Sequence, residues 1–116
     1  MNIADRRYSV DRFNALCKEF ADRELEIMDW KNKEYARQED KLQNFREIAL
    51  FEGRPMSHIA LSYLLKHVQA VKKQVHEGRF AWAWETGGGE GLKQRIADIR
   101  NYMLLLAACL DGEVEE

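Results

Sequence analysis

Apolar residues recur along this chain at three- and four-residue intervals, and four stretches of that pattern predict helices. The first follows Ser9, a residue suited to N-capping, and runs to about Tyr35. Its stripe is Phe13, Cys17, Phe20, Ile27, Met28 and Tyr35, interrupted by Glu24 and Lys31. After a break at 37–41, a short helix from about Leu42 to Glu52 carries Leu42, Phe45 and Ala49 on one side. Gly53 suits the position just past its end, and Pro55 the first turn of the next helix. That third helix is expected to reach Glu77 and stop at Gly78. Its main stripe is Leu61, Leu64, Leu65, Val68, Val71 and Val75, and its weaker apolar side is Ile59, Tyr63 and Ala70. The last, Leu92 to Leu110, sets Leu92, Ile96, Ile99, Met103, Leu106 and Leu110 on one stripe. Gln94, Asp98, Asn101, Leu105 and Cys109 fall opposite. Its second half is apolar nearly all round, so both faces are expected to be covered.

Residues 79–91 form the only sizeable connector. Phe80, Trp82 and Trp84 alternate there and would face one way in an extended chain, before the freedom of Gly87–Gly89. These rings read either as a plug over the bundle end or a dimer interface, or as a platform that stacks a nucleobase. There is no alternating β pattern and no internal repeat. The expectation is therefore one all-α domain over 1–116: a small helical bundle of three long helices and one short one. Residues 1–8 and 112–116 are its flexible ends, and Glu113–Glu116 a solvated acidic tail without a role. Secondary apolar sides on the long helices suggest a homodimer.

Composition narrows the partners. The chain has 116 residues, 46% hydrophobic and 33% charged, which suits a folded domain able to bury a core without staples. A formal charge of −2 argues against non-specific nucleic-acid binding, although a local basic patch is compatible with it. Two cysteines, Cys17 and Cys109, without a zinc-like cluster, read as core thiols in a reducing compartment. No apolar run reaches the roughly 20 residues of a membrane span. Together these predict a cytoplasmic protein with no membrane partner.

Polar groups lie near each apolar surface. Lys31 and Tyr35 share a helix face with Asn32 beside them; Asp40 and Asn44 follow; Lys66 and His67 are mid-helix in the third helix; Asp98, Asn101 and Tyr102 are in the last. Each has a structural reading as well as a functional one. Lys31 can snorkel or pair with Glu24. His67 alone can be a second-layer histidine. Asp98 and Asn101 can form a satisfied network or the floor of a small polar pocket, because leaving them buried and unpaired would cost about 1–3 kcal/mol or more.

Three motifs appear in order: Lys31-Asn32-x-x-Tyr35 leading to Asp40-x-Leu42-x-Asn44-Phe45, then Lys66-His67, then Ile96-x-Asp98-x-x-Asn101-Tyr102-x-Leu104-Leu105. Over roughly residues 28–110 this resembles small phage and prophage proteins close to the nucleotide-modification-associated domain, of the MazG-like nucleotide pyrophosphatase type. The resemblance implies an oligomeric helical fold with a site for a nucleotide or related phosphate ligand, and Mg²⁺ held by acids on facing helices to activate water. It implies Asp98 with Glu34 or Asp40 as metal ligands. Lys31 and Lys66 would meet the phosphates, and Asn101 or Tyr35 the sugar or base; Asn32, Asn44, His67 and Tyr102 complete the expected ligand-binding set. Two departures stand out: Gln94 occupies the place where the pattern has an acid, and the paired Glu-x-x-Glu is missing from the first helix.

Three functions follow. The first is a phage-encoded nucleotide-binding protein with Mg²⁺-dependent pyrophosphohydrolase activity. The second is a non-catalytic phage protein that sequesters a nucleotide signal or inhibits a host defence factor, located in the host cytoplasm. The third is a helical interaction module whose polar groups are structural.

Overall fold

The computed structural model describes residues 7–34 and 42–115, with side chains described for 7–27 and 42–114. The chain divides into two compact units, residues 1–37 and 38–116.

The first unit contains helix α1, Val10–Glu34. Ser9 caps it as its chemistry predicts: the Ser9 Oγ accepts from the Arg12 N–H at 3.1 Å, satisfying one of the donors left open in the first turn. On its surface Lys18 pairs with Asp22 one turn on at 2.7 Å. Cys17 is exposed, contrary to the expectation of a core thiol.

The second unit holds α2 (Gln43–Glu52), α3 (Met56–Glu77), a short antiparallel hairpin of β1 (Glu85–Thr86) and β2 (Gly89–Glu90), and α4 (Leu92–Glu115). Glycines in the left-handed conformation end two helices where the sequence placed them: Gly53 after α2, at φ 68°, and Gly78 after α3, at φ 67°. Pro55 stands one residue ahead of α3, at the N-cap, where its fixed φ of −61° and missing N–H do no harm.

Helices α3 and α4 run antiparallel. Ser57, at the start of α3, meets Glu113 near the end of α4, and His67 stacks on Tyr102 at mid-length. Helix α2 packs against this pair. Phe45, Ala49, Ile59, Ala60 and Cys109 form the core, with Leu42, Ile48, Met56, Tyr63, Tyr102, Leu105 and Leu106 around them.

The core reverses the ranking of the two apolar sides of α3. Ile59 and Ala60 are buried and Tyr63 half-buried, whereas Leu61, Leu65, Val68 and Val75 of the longer stripe are exposed. Leu64 is buried. In α4 the side bearing Leu105 and Cys109 faces the core; of the expected stripe Leu92 is buried and Leu106 packs against the core, while Met103 and Leu110 are exposed. Periodicity reveals that both sides are apolar, but the ring of Phe45 selects the side that carries Tyr63.

Two further features depart from the sequence expectation. The connector, for which no strand was expected, folds back as a hairpin over 85–90, with Gly87 and Gly88 forming the tight turn between its two-residue strands. Before it, the Ala81 and Ala83 carbonyls accept from the Leu92 and Lys93 N–H groups at 3.0 and 3.2 Å, and the Trp84 carbonyl from Gly91 at 2.9 Å. The connector backbone thus satisfies the open donors at the start of α4.

At the other end, α4 runs past Leu110 to Glu115. The Glu113 Oε1 accepts from the Ser57 N–H at 3.0 Å. Helix α3 has no side-chain cap of its own, so a carboxylate from α4 fills that place at the positive end of its dipole. The supposedly idle tail therefore has a structural task. Glu113→Ala is expected to lower stability by about 1 kcal/mol, read as a shift in urea midpoint at unchanged slope.

Candidate functional site

The site in the second unit grows from the turn between α2 and α3. Gly53 closes α2, and the following Arg54 N–H donates to the Ala49 carbonyl at 3.1 Å. This fixes Arg54 at the mouth of a cleft of about 110 Å³ between α2 and α3. Ile48, Ile59 and Tyr63 supply its apolar wall, and Glu52, Arg54, Ser62 and Lys66 its polar groups. The Arg54 guanidinium pairs with Glu52 at 2.9 Å, and both side chains remain substantially in solvent. An exposed pair of this kind is worth about 0–1 kcal/mol, so an incoming anion can compete for the guanidinium. The Lys66 ammonium sits 5.4 Å over the Tyr63 ring. The Ser62 Oγ donates to the His58 carbonyl at 3.0 Å, which leaves its lone pairs as acceptors. The cleft thus presents two cations, one hydroxyl acceptor and one aromatic wall.

Behind Tyr63 lies a run of rings. Tyr63 stacks with Tyr102 at 6.3 Å between centroids and Tyr102 with His67 at 4.8 Å, while Phe45 contacts both tyrosines. Burial pushes the Tyr102 phenol above its ordinary range, reinforced by the Asp98 carboxylate one turn away and by Tyr63. Its hydroxyl stays protonated, which suits a packing group. Burial also raises the Cys109 thiol, with Glu113 adding to the shift, so this cysteine is a poor nucleophile.

Of the expected ligand residues, Lys66 lines the cleft. His67 and Tyr102 are absorbed in the ring stack between α3 and α4. Asn44 is exposed on α2 and Asn101 half-buried on α4; neither lines the cleft. The side chains of Lys31, Asn32 and Glu34, at the end of α1, and all of Tyr35 and Asp40 lie outside the described residues. Asp98 accepts a hydrogen bond from Gln94 Nε2 at 3.0 Å. The residue that stands in for the missing acid is therefore the aspartate's own partner.

Mg²⁺ wants oxygen ligands in near-octahedral array, usually including one or two carboxylates. Among the described residues no group of three His, Cys, Asp or Glu side chains converges as a metal set, and the half-buried Asp98 is already engaged by an amide donor. The other two expected metal ligands, Glu34 and Asp40, lie outside the described side chains.

Arg54 and Ser62 are the site residues that motif reading missed. The available signal was positional: a residue immediately after a helix-ending glycine has its backbone fixed by the turn, which sets where its side chain starts. No helix among the described residues is long and apolar enough to cross a membrane. Compared with protein-family descriptions, with curated proteins and with solved structures, the chain gives no match.

Proposed function

We propose that this chain is a non-catalytic binder of a phosphate-bearing small molecule of nucleotide type, gripping one phosphoryl group between Arg54 and Lys66. The observation that carries the reading is the presence of those two cations in one cleft, where the exposed Glu52 is the one carboxylate among the described residues seen to pair with Arg54. Size limits what enters. Pockets that enclose a whole drug-sized ligand occupy roughly 300–1,000 Å³, so a cleft of about 110 Å³ takes a phosphoryl group and leaves sugar and base outside. The Tyr63 ring and the Ser62 lone pairs are the groups that such a projecting part would meet first. Binding without turnover fits sequestration of a nucleotide signal better than pyrophosphate hydrolysis, since Gln94 replaces the acid that the hydrolase pattern sets beside Asp98 and the paired Glu-x-x-Glu is missing from the first helix. A phage setting for that role remains part of the proposal, resting on the resemblance alone.

A melting series with nucleoside mono-, di- and triphosphates and inorganic pyrophosphate, each with and without Mg²⁺, tests this. At 100 times the dissociation constant, a ligand specific to the folded state adds about 2.7 kcal/mol, several degrees for a domain of this size. The expected result is a Mg²⁺-independent rise, reduced tenfold or more in affinity by Arg54→Ala and by Lys66→Ala, with no product formed. Mg²⁺-dependent release of pyrophosphate would establish the enzyme instead.

Self-association is the second element of the reading. Leu61, Leu65 and Val68 on α3 and Met103 and Leu110 on α4 are exposed, an aliphatic surface suited to a partner helix. Leu65→Glu is expected to convert a dimer to monomer by sedimentation without lowering helix content. A wild-type chain that sediments as a monomer at 100 µM would remove this element.

A further inference from the structure

At the far end of the α3–α4 pair, the described residues carry a second chemistry that the cleft does not use. Lys72 and Lys73 are exposed on the last turns of α3, and Arg79 follows Gly78, giving residues 72–82 three cations against the single acid Glu77. The chain as a whole is net −2, so this positive charge is concentrated in one segment. Phe80 and Trp82, large rings of the same segment, are 47% and 50% exposed.

The segment is held in place. The Ala81 and Ala83 carbonyls, flanking Trp82, are both bonded to the start of α4. Fixing the backbone in advance removes much of the ordering entropy that a loop platform would otherwise lose on binding. The Lys93 ammonium lies 5.3 Å over the Trp82 ring, placing a positive charge against one face of an exposed aromatic.

We propose that this end of the α3–α4 pair binds single-stranded nucleic acid, with Trp82 and Phe80 stacking bases and Lys72, Lys73, Arg79 and Lys93 meeting the phosphates. The spacing suits that ligand. Residues two apart in an extended chain are about 6.6 Å apart, roughly twice the 3.4 Å rise per base along one strand. Two such rings can take successive splayed bases or hold one base between them, without regard to its identity. A narrow strand also avoids the acids nearby. Glu85 and Glu90 face each other across the exposed hairpin, directly after the aromatic segment. A flat anionic bilayer lying over the two rings would have to approach those carboxylates, whereas a single strand can pass beside them.

Fluorescence anisotropy of a labelled 15-nucleotide oligothymidylate, titrated with the full chain at 50 and 200 mM salt, tests the proposal. Neutralising three to four phosphates of a single strand gives a salt slope of about −2 to −3, hence roughly 20- to 50-fold weaker binding at the higher salt. Trp82→Ala is expected to weaken binding tenfold or more, while Trp82→Phe retains most of it because a ring remains to stack. The combined Lys72→Ala/Lys73→Ala variant should flatten the salt slope. Far-ultraviolet circular dichroism checks that each variant is folded, and the melting shift given by the cleft's phosphate ligand should be unchanged in Trp82→Ala. No binding at 50 mM salt with 100 µM protein would overturn the proposal. So would equal affinity in folded Trp82→Ala, or association with phosphatidylserine vesicles in place of the oligonucleotide.

Discussion

Phe45→Ala is expected to destabilise the second unit by about 3–5 kcal/mol, the range for removing a buried phenylalanine. The ring is 8% exposed and lies 5.9 Å from Tyr63 and 6.5 Å from Tyr102, so it ties α2 to both longer helices at once. A ten-residue helix is too short to persist alone in water and depends on this packing. The loss should therefore spread beyond the cavity. With α2 loosened, Ile48, Glu52 and Arg54 leave the cleft, and stabilisation by a phosphate ligand should vanish along with the lost unfolding free energy. Phe45→Leu, which keeps most of the volume, should retain both. Urea unfolding followed at 222 nm separates the outcomes; a cost below about 1 kcal/mol for the alanine variant would mean that α2 is held by something other than this ring.

Gly91→Ala is the second large effect, and its cause is backbone rather than core. A methyl group at position 91 would lie 1.9 Å from the Ala83 carbonyl oxygen and 2.5 Å from its carbon, inside any tolerable contact. Neither neighbour is the end of a flexible side chain, so the connector or the start of α4 must move. Such a shift strains the bonds from Gly91, Leu92 and Lys93 to Trp84, Ala81 and Ala83. A penalty of about 2–3 kcal/mol is expected, which lowers the Tm of a domain this small by roughly 10–20 °C. Gly88→Ala at the hairpin tip is the control, since nothing lies within 4 Å of a side chain added there. Equal melting temperatures for the two variants would show that the close approach at Gly91 does not constrain the fold.

The parts of this fold that were legible from sequence are the parts decided locally. Ser9, Gly53 and Gly78 act on backbone groups within one turn of themselves, and the helix ends fall where they predict. What periodicity could not decide is which of two apolar arcs faces a neighbour. Leu61, Leu65 and Val68 form the longer arc on α3, yet Tyr63 on the shorter one meets Phe45 of the preceding helix, 18 positions earlier in the chain. The end of α4 was illegible for the same reason. An acidic stretch is unfavourable at a helix C-terminus by local rules, but Glu113 finds the N–H of Ser57, 56 residues distant.

The candidate site divides along the same line. Lys66 was recognisable as a cation on a helix with apolar neighbours, but its companion Arg54 belongs to no motif and becomes part of the cleft only once the Gly53 turn brings α2 beside α3. Asp98 and Gln94 were visible as a departure from a familiar pattern, and their hydrogen bond gives that departure a plain meaning.

The antiparallel pair has one further consequence, for the order in which its two arms separate. Its joins are nested, from Ala81 with Leu92 beside the connector, through His67 with Tyr102, to Ser57 with Glu113 at the open end. Each outer join closes a longer stretch of chain, and moving from the innermost to the outermost adds about 1.4 kcal/mol of closure entropy. Zipping therefore starts at the connector, and fraying starts at the opposite tips. Since α2 and its cleft sit toward those tips, a molecule held by Arg54 and Lys66 would act as a clamp between α2 and α3, slowing amide hydrogen exchange in α2 and the first turns of α3 together.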